Sequence, residues 1–113
     1  MKAMLSQPMN GNMTGEEIVT TRERAVAALE SRGYKVVNPL FTDEWCSGAE
    51  CKERGVVNIP LMFLARSLTN MSLCHAVYFC QGWKNARGCR IEHAIAEAYG
   101  LTILYEEEPN ERD

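Results

Sequence analysis

Short apolar blocks alternate along the chain between a continuous and a helical spacing, and each change of spacing is marked by turn or capping residues. Residues 2–7 form an apolar run that enters Pro8-Met9-Asn10-Gly11, which predicts a buried first strand leading into a turn-rich loop. Thr14-Gly15-Glu16-Glu17 then has the form of a capping box, in which the Thr14 hydroxyl accepts from a backbone N–H three residues on and Glu17 returns the bond. The helix it opens carries Ile18, Val19, Ala25, Val26 and Leu29 and closes at Ser31-Arg32-Gly33, a glycine suited to a left-handed cap. Tyr34-Lys35-Val36-Val37 is the second strand, closed by Asn38-Pro39.

Residues 39–57 hold Trp45, two cysteines and two glycines without a clear period, and an irregular stretch of this length inside a compact domain is commonly functional. Pro60 suits the first turn of a second helix running through Leu61, Leu64, Leu68 and Met71, and residues 75–80 form a third strand. A glycine-punctuated loop, residues 81–88, precedes a third helix with Ile91, Ala94, Ile95 and Ala98 on one face, ending at Tyr99-Gly100. Residues 101–105 are the fourth strand, and residues 106–113 a solvated acidic tail.

Strands alternating with helices predict an α/β fold with a parallel sheet, and right-handed crossovers leave few topologies. The expected architecture is a flavodoxin-like three-layer sandwich of about four strands in the order 2-1-3-4, built as a single domain over residues 1–105. In that order the loops after strands 1 and 3 meet at the carboxyl edge of the sheet, where such folds bind ligands.

Composition adds bounds. With 113 residues, 46% hydrophobic and 24% charged, the chain has the make-up of one ordinary globular domain that needs neither metal nor disulfide to form a core. Twelve Lys and Arg against fifteen Asp and Glu give a net charge of −3, which argues against a general nucleic-acid or anionic-membrane binder. That charge belongs to the tail, since residues 106–113 hold five acids and one Arg, leaving +1 on residues 1–105. Five cysteines cannot pair completely within one chain, so a reduced cytoplasmic protein is expected, and without any Cys-x-x-Cys spacing no metal and no cofactor is expected either. No apolar run approaches the ~20 residues of a membrane span, so no membrane partner is expected.

The chemistry concentrates at Gly82–Glu92. A strand ends, a glycine loop turns, and a helix begins with its free N–H groups at the crevice, an arrangement that favours an anion. Lys84, Arg87 and Arg90 add positive charge, Gly88 allows close backbone approach, and Glu92 one turn in is a candidate nucleophile or base. The bland alternatives stay open: Gly88 serves only a tight turn, the cations form a solvated face, and Glu92 pairs with Arg90, His93 or a neighbouring helix. Trp83 is either a stacking platform or a cover over the core, and Gln7 and Asn10 either donate to a ligand or satisfy turn backbone. Candidate ligand contacts are therefore Gln7, Pro8, Met9, Asn10 and Gly11 after strand 1, and Gly82, Trp83, Ala86, Arg87 and Gly88 after strand 3.

Residues 6–11 (Ser-Gln-Pro-Met-Asn-Gly), 33–39 (Gly-Tyr-Lys-Val-Val-Asn-Pro) and above all 82–93 (Gly-Trp-Lys-Asn-Ala-Arg-Gly-Cys-Arg-Ile-Glu-His) resemble the DUF4406 family of small bacterial and phage proteins. That family resembles a branch of the nucleoside 2-deoxyribosyltransferase superfamily, which includes the 2'-deoxynucleoside 5'-phosphate N-hydrolases. The resemblance implies attack of a glutamate, here Glu92, on the anomeric carbon of a nucleoside or nucleotide, with Gly88 as the loop glycine. It also implies a homodimer or higher homo-oligomer. The enzymes carry two Asp residues on the helix before strand 3; here Ser67 and His75 occupy those places, and Ala86 replaces a phosphate-contacting serine. The missing acid is expected from Asp43 or Glu44, with His75 as a lesser alternative. The rival reading is a non-catalytic nucleotide-binding or sequestering protein. A redox or scaffold protein of flavodoxin shape is disfavoured, because the loop after strand 1 lacks the Ser and Thr run that cradles a flavin phosphate.

Overall fold

The computed structural model describes residues 1–8, 15–37 and 52–106. In chain order its elements are β1 (Lys2–Ser6), α1 (Gly15–Ser31), β2 (Lys35–Val36), α2 (Ile59–Met71), β3 (Ala76–Phe79), a 3-10 turn (Trp83–Asn85), α3 (Arg87–Ala98) and β4 (Thr102–Tyr105). The four strands are all parallel in the order β2-β1-β3-β4, the α/β arrangement that the pattern predicts. Ser6, the last residue of β1, lies opposite Phe79, the last of β3, and Phe79 lies opposite Tyr105.

Central strands covered on both faces read as unbroken apolar runs, and every residue of β3 is buried. Alternation along β1 and β3 divides the core. Ala3, Leu5, Ala76, Tyr78 and Cys80 pack with Ala25 and Leu29 of α1 on one face. Met4, Val77 and Phe79 pack with Met71 of α2 and Ala96 of α3 on the other. Helices thus cover both faces, and the carboxyl edge of β1 and β3 is left between α1 and the α2/α3 layer.

Two helix faces differ from the apolar pattern. In α1 the buried residues are Arg22, Ala25 and Leu29, while Val19 is 52% exposed. In α3 the buried residues are Cys89, Glu92 and Ala96; Ile91 is 38% exposed, and Ala94 and Ala98 face outward. A carboxylate and a thiol therefore point inward where periodicity alone selects isoleucine and alanine. The start of α2 follows expectation: Asn58 Oδ1 accepts from the Leu61 N–H at 3.1 Å, and Pro60 lies in the first turn, where it has no N–H to leave unpaired. Thr14 of the expected capping box lies outside the described residues.

Glu106, expected in the solvated tail, belongs to the folded body. Its carboxylate accepts from the Gln81 N–H at 2.8 Å and pairs with Arg24 at 2.7 Å, tying the end of β4 to the loop after β3 and to α1. His75 sits at the opposite, amino-terminal edge of the sheet, where its Nδ1 accepts from the Lys2 N–H at 3.0 Å. That position removes it from proton transfer at the carboxyl edge. Among the described residues no helix is long and apolar enough to cross a membrane.

Candidate functional site

A cleft of about 730 Å³ opens at the carboxyl edge of β1 and β3. Gln7 and Pro8 follow β1 on one side with Arg22 of α1; Phe63, Leu64, Ser67 and Asn70 of α2 form a second wall; Ala86, Arg87, Gly88 and Glu92 form the third. Glu92 is 7% exposed, and its Oε1 accepts a hydrogen bond from Ser6 Oγ at 2.5 Å. A carboxylate taken out of water needs donors or a counter-charge, and the hydroxyl supplies one such donor.

Arg22 brings a second sheltered charge to the lining, at 8% exposure. Gln7 connects it to the sheet: Gln7 Nε2 donates to the Ile18 carbonyl at 2.7 Å, and its Oε1 accepts from Arg22 Nη1 at 3.5 Å. The Gln7 amide therefore braces α1 against the end of β1, where the sequence left open a ligand contact or a turn contact.

The start of α3 adds backbone donors. Its N-cap is Ala86, which has no side-chain oxygen to accept from the first turn, and the Arg90 N–H is the first to close on the Ala86 carbonyl, at 3.0 Å. The N–H groups of Arg87, Gly88 and Cys89 thus have no partner within the helix and belong to residues lining the cleft. A Cβ built at Gly88 meets nothing within 4 Å, so the backbone there is open to a bound group.

Cys89, one turn before Glu92, also lines the cleft; burial pushes its thiol up to about 11, while the Ser6 hydroxyl works against that rise. Burial likewise pushes Cys80 up to about 12 and Cys74 to about 11. Native thiols therefore keep protons that an unfolded chain releases from about pH 9, so the unfolded state binds fewer protons and stability falls as pH rises past 9. The urea midpoint is expected to be lower at pH 10 than at pH 8; equal midpoints would contradict the burial of these thiols.

Several candidates fall elsewhere. Trp83 stacks on His93, with ring centroids 4.2 Å apart and planes at 16°, and also meets Phe79 at 5.3 Å, so it covers the core behind α3 instead of lining the cleft. Lys84 Nζ lies 5.9 Å from the Trp83 ring centroid and is likewise outside the lining. Gly82, with φ of 86°, does not line the cleft either; a Cβ there would lie 3.6 Å from Pro8 Cγ, which places the two crevice loops in contact. Gln7, Pro8, Ala86, Arg87, Gly88 and Glu92 are brought together as expected. Met9, Asn10, Gly11, Asp43 and Glu44 lie outside the described residues.

Ser6, Arg22 and Cys89 are the additions that sequence reasoning missed. Arg22 did leave a signal: it sits on the stripe 18-22-25-29, a charge at a core spacing. Ser6 ends an apolar strand as its one hydroxyl, with nothing nearby in the chain to suggest a partner 86 residues away. Among the described residues no three His, Cys, Asp or Glu side chains gather as a metal site. The cleft can present one fixed carboxylate to a molecule whose polar or anionic end meets Arg22 and the α3 N-terminus. A family model described as Domain of unknown function (DUF4406) matches residues 1–105. No curated protein matches the chain.

Proposed function

The chain belongs to the DUF4406 family, and on that premise we propose that it cleaves or transfers the N-glycosidic bond of a (deoxy)nucleoside or nucleotide through Glu92. The observation that carries this reading is a buried carboxylate, held by Ser6, in the wall of a cleft large enough for such a ligand. A Glu92 oxygen attacks the anomeric carbon; the C1'–N bond breaks, its electron pair leaves with the base, and the base takes up a proton. Water or a second base then attacks the same carbon of the glycosyl ester and frees the carboxylate. The proton donor is assigned to Asp43 or Glu44, from the same chain or across a homo-oligomer interface. Arg22, Arg87 and the α3 N-terminus suit the anionic or polar end of the ligand, and Phe63 and Leu64 offer an apolar wall for the base.

One observation favours a second reading. Ser67 of α2 lines the cleft at the place where the enzymes that the sequence resembles carry an Asp, which suits a non-catalytic nucleotide-binding protein. Incubation with a panel of deoxynucleosides and their monophosphates, with free base followed by chromatography and binding by calorimetry, separates the two. Release of base from any member supports the enzymatic reading, binding without release supports the second, and neither binding nor release overturns both.

The uncapped start of α3 gives a further expected result. Ala86→Asp supplies the missing cap and stabilises the unliganded protein by about 1 kcal/mol. The same carboxylate enters the cleft wall, so affinity for a nucleoside monophosphate falls while affinity for the uncharged nucleoside changes little. Parallel titrations of the two ligands check this, and equal losses for both would remove the anion from that end of the cleft.

A further inference from the structure

Ser6 occupies a position fixed by the sheet. Its carbonyl accepts from the Cys80 N–H at 3.0 Å, its Cα is in register with Phe79, and only 1% of its surface is exposed. From there its hydroxyl reaches α3, donating to Glu92 Oε1 at 2.5 Å, with the Cys89 thiol one turn earlier close by. A hydroxyl has one proton to give and lone pairs to accept with. With that proton on the Glu92 carboxylate, none is left for the Cys89 thiol.

We propose that Ser6 is a positioning residue for Glu92: its hydroxyl fixes one carboxylate oxygen to the end of β1 and holds the group in one orientation. The inference rests on the reading of Glu92 as the reacting carboxylate, and it specifies what makes that carboxylate ready. A glutamate on a helix has three side-chain torsions, and the hydrogen bond to a sheet residue restricts them before any ligand arrives. A hydrogen bond donated to a carboxylate favours its charged form, so loss of the hydroxyl raises the pH at which Glu92 titrates. The charged and titratable groups that share its surroundings among the described residues are Arg22 from α1 and Arg87 and Cys89 from α3, with Cys80 at the end of β3 behind Cys89; α2 contributes the uncharged Ser67 and Asn70 to the lining.

The test compares wild type, Ser6→Ala and Ser6→Thr, with Glu92 side-chain carbon followed by NMR in protein carrying 13C-labelled glutamate and assigned by its loss in Glu92→Gln. Ser6→Ala is expected to move the Glu92 midpoint upward, and Ser6→Thr, which restores a hydroxyl, to move it back; the amide spectrum away from the site stays unchanged. A midpoint unchanged in Ser6→Ala overturns the proposal, as does an upward shift that Ser6→Thr fails to reverse while remaining folded. Where wild type releases base, Ser6→Ala is expected to lower kcat on the order of tenfold with KM within about twofold. A midpoint shift without base release by wild type supports the positioning role and counts against the enzymatic reading alone.

Discussion

Glu92→Gln is expected to lower base release on the order of 10³-fold or more while the ligand still binds. The amide keeps the shape of the side chain, and its carbonyl oxygen can still accept from Ser6 Oγ, so the cleft wall keeps its form. In the proposed reaction what disappears is the anion that attacks the anomeric carbon or stabilises its positive charge, and a loss of this size corresponds to about 4 kcal/mol of transition-state stabilisation. The complementary variant, Glu92→Ala, opens room for a small external nucleophile. Formate or azide is expected to restore part of the rate and, with azide, to leave an azido sugar as product. Assay of both variants on the substrate found in the panel, with calorimetric binding alongside, distinguishes loss of chemistry from loss of affinity. Base release by Glu92→Gln at the wild-type rate would show that this carboxylate does no bond-making, and the nucleotide-binding reading of the cleft would then take its place.

The second large effect is on stability. Phe79→Ala is expected to destabilise the fold by about 3–5 kcal/mol, within a total that for a domain of this kind is typically about 5–15 kcal/mol. Phe79 is fully buried in β3 and meets three rings, His93 at 4.9 Å, Trp83 at 5.3 Å and Tyr105 at 6.2 Å. His93 follows Glu92 directly and is held in turn by Tyr105, whose hydroxyl is 2.7 Å from His93 Nε2. The ring cluster therefore anchors α3 on the side away from the cleft and sets the rotation that turns Glu92 inward. Phe79→Leu keeps most of the volume and is expected to cost less than about 1.5 kcal/mol, leaving a folded protein in which kcat falls through looser placement of Glu92. Urea unfolding of both variants measures the costs. A loss below about 1 kcal/mol for Phe79→Ala would mean that these rings do not anchor the helix.

The two results bear on different kinds of information in the chain. Four parallel strands in the order β2-β1-β3-β4, the starts of α2 and α3 and the meeting of the loops at Gln7-Pro8 and Ala86–Gly88 all follow from local signals. Strand length, the Pro60 first turn and the glycine at the close of α1 act within a few residues of themselves, and crossover handedness supplies the rest. Glu92 was legible for the same reason, as a carboxylate one turn into a helix that begins at the carboxyl edge. Its surroundings were not. The apolar stripe Ile91-Ala94-Ile95-Ala98 predicts a rotation that turns Glu92 away from the core side, and local sequence leaves Trp83 two directions, between which the stacked His93 ring decides.

The amino-acid sequence by itself determined the sheet, its order and the edge at which a ligand cleft forms, because periodicity, caps and turn residues are properties of neighbours along the chain. Tertiary structure alone decided which polar groups meet there. Ser6 and Glu92 are 86 residues apart, and Arg22 reaches the cleft from a helix on the other face of the sheet from α2 and α3. Such pairings depend on strand register and helix rotation, which are fixed only when the two cores close, and no local pattern carries them. That closure turns a plain strand-end serine into the partner of a buried carboxylate.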